Sequence, residues 1–334
     1  MSNENPSEQV LNRIHSLLYG AAPVIWVNTQ EEDRFIADVI EGIADPSKLE
    51  VWTWSIHHGV LHYSARQNPD GNVNEETIPL TEALHYVVEK PVDARYDGAI
   101  YIFMDPGPYM TPPATRLLKD HMEQMALGQS GSWSGPGAAA KDDGPIKLII
   151  LLSPILQHAG GQGMEPLLQN FVEILEYPLP TKSQQLDIIT ACLRPDEEDS
   201  SAYSDSELEE MAIAVQGLTA RQARNAVLEA VATSDRVEPR QLATKKKEIV
   251  RHTGLLEVVD NPPGVDQVGG LEHLKEFVAR YKGQFSTDAE EFGVEPLKGI
   301  LLIGIPGTGK SLAAKAISAV WEVPEYRLDI GRVM

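Results

Sequence analysis

The sequence predicts an α/β fold, a parallel sheet covered by helices, and three observations carry that prediction. Apolar runs rich in β-branched and aromatic residues recur, segments with helical apolar spacing alternate with them, and several runs are apolar on both faces. At about 150 residues per domain, 334 residues make two domains or one and a half.

The elements follow in order. Residues 23–28 (PVIWVN) read as a strand, and the next segment is helical, with Phe35, Ile36, Val39, Ile40 and Ile43 on one face. Residues 51–56 are strand-like. Residues 80–89 are helix-like, with Leu80, Leu84, Val87 and Val88 together, and 99–104 form a continuous apolar strand. Residues 111–127 read as helix, 147–152 (KLIILL) as a second buried strand and 171–177 as a third. Between them, 128–144 hold too few apolar side chains to offset the entropy of ordering, which predicts a mobile surface loop. From Thr181 the strand signals vanish and helices begin at Thr181, Ser204 and Thr219, each a good N-cap. The expected organisation is an α/β domain over 1–180, a helical subdomain with linker over 181–260, and a partial second α/β module over 261–334.

Composition narrows the function classes. Lys and Arg number 28 against 49 Asp and Glu, a net charge of −21 that repels nucleic acid and anionic membrane surfaces alike. No run approaches the about 18 apolar residues of a membrane span, and the polar start MSNENPSEQV is unlike a signal peptide. A single cysteine, Cys192, cannot form an intrachain disulfide. The expectation is a cytoplasmic protein without membrane or nucleic-acid partners.

The chemistry concentrates at 304–311 (GIPGTGKS), which fits G-x-x-x-x-G-K-[ST]. Residues 300–303 (ILLI) before it are expected as a buried strand, and 312–321 after it as a helix. That is the strand, loop, helix order of a phosphate loop. Glycines let successive backbone N–H groups turn toward phosphate oxygens, and the helix start favours negative charge. The expected contacts to ATP come from Gly304, Ile305, Pro306, Gly307, Thr308, Gly309, Lys310, Ser311 and Leu312. Lys310 reaches the β and γ phosphates, and the Ser311 hydroxyl coordinates Mg2+. The phosphate-loop reading needs a sheet beneath the loop.

VGGLEHLK at 268–275, KGILLIGIPGTGKSLAAKAIS at 298–318 and YRLDIGR at 326–332 together resemble the start of an AAA ATPase module. The nearest likeness is the two-domain AAA family encoded in cyanobacteria and plastids, with a degenerate first domain and an active-type second. The resemblance implies a P-loop-type sheet, with the helices after 181 as a lid. It implies that Val268 and Gly269 line the adenine pocket, that ATP hydrolysis drives remodelling of a macromolecule, and that subunits assemble into a homo-oligomeric ring. Only 24 residues follow Lys310, so the Walker B acids, sensor residue and arginine finger implied by the resemblance are expected beyond Met334. A truncated product, a second polypeptide completing the module, or cover from the first domain would each account for this. A binding scaffold that uses nucleotide only structurally, or not at all, is the competing function class.

The first domain has lost its phosphate loop. Its strand-to-helix junction reads Asn28, Thr29, Gln30, Glu31, Glu32, Asp33, without glycine or lysine. Carboxylates there satisfy the helix start themselves and repel a triphosphate. Asp105 ends strand 99–104 but is followed by Pro106 rather than an acid, which fits a relic or capping position. Arg221 lies near where the family has a sensor arginine, though an ordinary solvated arginine explains it. His57, His58 and His62 lack carboxylate or cysteine partners at ligand spacing and read as turn histidines. Trp52 and Trp54 share a strand face and read as packing residues.

Overall fold

The computed structural model describes residues 5–18, 24–64, 73–127, 146–153, 172–193, 203–252, 256–259, 269–285, 289, 292–293, 297–305, 307–321 and 325–328. The predicted loop at 128–144 lies outside them. The chain divides into two compact units, Met1–Asp235 and Arg236–Met334.

The first unit is built on six strands: β1 Val24–Asn28, β2 Leu49–Ser55, β3 Gly59–His62, β4 Gly98–Met104, β5 Ile146–Ser153 and β6 Glu173–Glu176. Their order is β3-β2-β4-β5-β1-β6. β1 runs parallel to β5 and β6, and β4 parallel to β2 and β5. The central strands are apolar throughout because both faces are covered. Along β4, Ala99, Tyr101 and Phe103 join one core cluster, while Ile100 and Ile102 join the other. The first cluster is closed by α3 (Leu80–Glu89) and α4 (Pro112–Leu127) through Leu80, Leu84, Val87, Leu118 and Met122. The second is closed by α1 (Pro6–Leu18) and α2 (Glu32–Val39) through Ile14, Leu17, Phe35, Ile36 and Val39.

Three local features depart from the sequence reading. α1 was not expected, because its polar sequence buries only Ser7, Ile14, Leu17 and Leu18. β3 pairs antiparallel with β2, so the sheet is mostly rather than wholly parallel; His57 and His58 lie in the turn of this hairpin, as expected, and His62 ends β3. Beyond α2 the chain continues as a π-helical turn over Ile40–Ala44. The hairpin depends on Gly59, whose φ is 68° and where an added Cβ would lie 2.3 Å from the Asn74 carbonyl oxygen. Gly59→Ala is therefore expected to cost more than about 1–2 kcal/mol, read as a fall in the thermal midpoint.

The helical segment of this unit comprises α5 (Lys182–Leu193), α6 (Asp205–Val215) and α7 (Ala220–Thr233). Ser204 and Thr219 each form a complete capping box, with Glu207 and Gln222. At α5, Thr181 Oγ1 accepts the Gln184 amide while Gln184 Oε1 accepts the Thr181 amide. The three N-caps read from the sequence are the three helix starts.

The second unit holds α8 (Pro239–His252), α9 (Glu272–Arg280), α10 (Lys310–Trp321) and an antiparallel pair, β7 (Leu256–Val259) with β8 (Glu325–Leu328). Leu271, Leu274 and Val278 line an apolar groove with Ala313, Ala316, Ile317 and Val320, and Trp321 Nε1 donates to the Val278 carbonyl at 2.8 Å. The expected strand at 300–303 is not formed. Residues 297–305 carry no regular structure, and Leu301 and Ile303 are 84% and 87% exposed. Among the described residues no strand pairs with this segment, and an apolar run becomes a strand only where neighbours complete its hydrogen-bond ladder.

Candidate functional site

The glycine loop leads directly into a helix. Gly307 and Gly309 have φ of 86° and 83°, backbone that L side chains rarely adopt, and α10 begins at Lys310. At Gly304 an added Cβ would lie 2.8 Å from Thr308 Oγ1, so the Thr308 side chain would have to turn away to admit one. The Thr308 hydroxyl and amide both donate to the Ile305 carbonyl, at 2.8 and 3.4 Å. The Lys310 ammonium donates to the Gly304 and Ile305 carbonyls, at 2.8 Å each, so the lysine arches back over the loop that precedes it. Ser311 and Leu312 are exposed on the first turn of α10. Gly269 is exposed before α9, whose apolar face meets α10; Val268 and Pro306 lie outside the described residues.

In the first unit, the carboxyl ends of β1 and β5 lie side by side, with the strand that follows β1 on one side of the pair and the strand that follows β5 on the other, the place where an open α/β sheet receives ligands. Here that place is filled by the chain itself. Thr29 stays tethered through its amide to the Ser153 carbonyl, and its hydroxyl accepts the Glu31 amide at 3.0 Å. Glu31 is buried. Its carboxylate accepts Arg34 Nε at 3.1 Å and the backbone amide of Ala220, the first residue of α7, at 2.7 Å. Arg34 in turn donates to Ser7 Oγ, Gln184 Oε1 and the Pro178 carbonyl, and stacks over Tyr177 at 4.5 Å. Burial, then a hydrogen bond to Asp38, raises the Tyr177 phenol well above its usual range and keeps it neutral.

Arg221, expected as a solvated arginine, pairs with Asp33 at 2.6 Å although both side chains are mostly exposed, and this contact raises the guanidinium pKa. Neither Arg34 nor Ala220 stood out in the sequence; the signal available was the i, i+3 spacing of the Glu31 carboxylate and the Arg34 guanidinium. Asp105 is exposed with φ 47°, and its amide donates to the Leu152 carbonyl.

The other polar candidates are occupied locally. His58 and His62 contact Ser55 and Ser64, and His62 stacks edge-on against Trp52. Trp54 is buried and donates to the Thr77 carbonyl. Burial raises the Cys192 thiol pKa, the opposite of an activated nucleophile. Among the described residues no group of three metal-ligating side chains forms, and no helix is long and apolar enough to cross a membrane.

Comparison with known proteins adds three findings. The family described as "SpoVK-like AAA ATPase, N-terminal domain" matches residues 10–132. The "Uncharacterized AAA domain-containing protein ycf46" of Guillardia theta is 27% identical over 321 residues, 95% of this chain and 56% of that protein. Its namesake in Gracilaria tenuistipitata var. liui is 32% identical over 183 residues, 54% of this chain and 37% of that protein. The chain thus spans about half the length of the curated relatives it matches. Among solved structures, that of C. elegans PCH-2 aligns at 10% identity with a TM-score of 0.44, over 76% of this chain and 70% of that one. Residues 10–132 thus match an AAA ATPase N-terminal domain, and the chain is similar to the ycf46 AAA domain-containing proteins over most of its length.

Proposed function

We propose that the chain binds Mg-ATP at 304–311, through the backbone of Gly304, Ile305, Pro306, Gly307, Thr308 and Gly309 and the side chains of Lys310 and Ser311. Val268 and Gly269 contact the adenine, and Leu312 packs beneath the phosphates. The sheet that the sequence reading requires beneath the loop is not formed at 300–303, so the proposal rests on the loop itself: two glycines at positive φ and a helix that starts at the lysine. These residues suit a triphosphate. Helix-start amides and an ammonium favour its charge, and the Ser311 hydroxyl is a hard oxygen donor suited to Mg2+. When bound, Mg2+ neutralises charge on the β and γ phosphates.

In the complete module, ATP hydrolysis drives remodelling of a macromolecule, and a homo-oligomeric ring brings a neighbour's arginine to the nucleotide. A single cysteine and strong acidity suit a reducing, cytoplasmic setting. One observation favours a second reading, a nucleotide-binding scaffold without turnover. Leu301 and Ile303 stand exposed outside any sheet, and phosphoryl transfer needs its groups fixed in place. Cover for this segment, from further chain or a second polypeptide, separates the two readings.

Calorimetric titration with an ATP analogue and Mg2+, followed by a turnover assay, tests the proposal. Binding without turnover supports a module whose catalytic groups are not in this chain, and no binding rejects the site. Ser311→Ala is expected to lower affinity about ten-fold in Mg2+ and to change it little in a chelator, because only the metal contact is lost.

A further inference from the structure

We propose that Glu31 is a built-in anionic ligand. Its carboxylate fills an oxyanion receptor formed by the Arg34 guanidinium and the first main-chain amide of α7, and so holds the helical segment to the carboxyl end of β1 with no nucleotide in the first unit.

The receptor has the parts that recognise phosphate or carboxylate. A helix leaves its first amides without intrahelical acceptors, and the amide of Ala220 points at Glu31 Oε1. A guanidinium supplies the second, charge-assisted donor at Oε2. The guanidinium cannot drift, because Ser7 of α1, Gln184 of α5 and the Pro178 carbonyl each take one of its hydrogen bonds and Tyr177 lies under its plane. The Glu31 side chain is 2% exposed, which leaves no path for a dissolved anion to compete. Being covalently attached, this ligand is present at an effective concentration that no solution condition changes. Asp33 and Arg221 add a second tie, but at 62% and 74% exposure it contributes little. The first unit is thus a permanently liganded platform. The inference is independent of nucleotide binding at 304–311.

Amide hydrogen exchange of the full chain carrying Lys310→Ala tests this, since that background removes effects from the glycine loop. With Glu31 intact, the segment around Ala220 is expected to be protected, and millimolar Mg-ATP is expected to leave that protection unchanged. In Glu31→Ala, protection at the start of α7 should fall about ten-fold or more, and millimolar acetate or formate should restore it by entering the vacated receptor. Glu31→Gln, which keeps an acceptor oxygen, should retain most of it. Should Glu31→Ala not fold, recovery of folded protein in acetate but not in chloride supports the proposal, and equal recovery in both overturns it. Unchanged exchange in Glu31→Ala, failure of acetate and formate to restore a lost signal, or protection that rises with Mg-ATP when Glu31 is intact each overturn it as well.

Discussion

Lys310→Ala is expected to weaken Mg-ATP binding by at least about 100-fold. Two charge-assisted hydrogen bonds to phosphate oxygens contribute roughly 3 kcal/mol or more between them, and about 1.4 kcal/mol is a factor of ten. The lysine now spends those donors on the carbonyls of Gly304 and Ile305, exposed contacts that solvent replaces at small cost. Calorimetric titration of the variant reads the loss directly, and a thermal scan without nucleotide separates it from unfolding. An affinity equal to that of the unaltered protein would reject the phosphate-loop assignment.

Arg34→Met is expected to destabilise the first unit by about 3–5 kcal/mol, the penalty for leaving one member of a buried ion pair without its partner. Arg34 is 12% exposed and Glu31 2%, so water cannot take over the lost contacts, and Ser7, Gln184 and Pro178 lose a shared donor together. Denaturant unfolding followed by the fluorescence of buried Trp26 and Trp54 measures it. A domain is stable by only about 5–15 kcal/mol, so the midpoint shift is large. Adding Glu31→Gln to Arg34→Met should recover part of the loss by removing the stranded charge. A decrease below about 1 kcal/mol in the single variant would show that the pair is not a structural centre.

Much of the first unit was legible because its signals are local. Strands β1, β4 and β5 are apolar on both faces and read as interior strands without reference to anything else. The caps at Thr181, Ser204 and Thr219 act within four residues of themselves. α1 was missed although Val10, Leu11, Ile14, Leu17 and Leu18 keep helical spacing, because its period sits in a start that is otherwise polar. β3 is four residues long and begins at a glycine whose geometry appears only once Asn74 is folded against it.

The run at 300–303 was misread for a different reason: hydrophobicity reports a capacity for burial, and burial needs a partner the pattern does not name. The same division holds at the sites. The spacing of 304–311 showed a glycine loop entering a helix, since a loop and a helix start are neighbours in sequence. The carboxylates at Glu31 and Asp33 were visible after β1 in place of a glycine loop. Their partners Ala220 and Arg221 lie 189 and 188 positions away and became visible only in the fold.

The pairing of Val24 with Ile149 has a consequence for biosynthesis. β1 leaves the ribosome 125 positions ahead of its register partner. At about 5–20 residues per second the apolar run VIWVN waits roughly 6 to 25 s before its ladder can close, with β6 later still. Long-range parallel pairing of this kind is slow and leaves nascent chains prone to association. The sheet of the first unit is therefore the part that should depend on chaperone holding during translation.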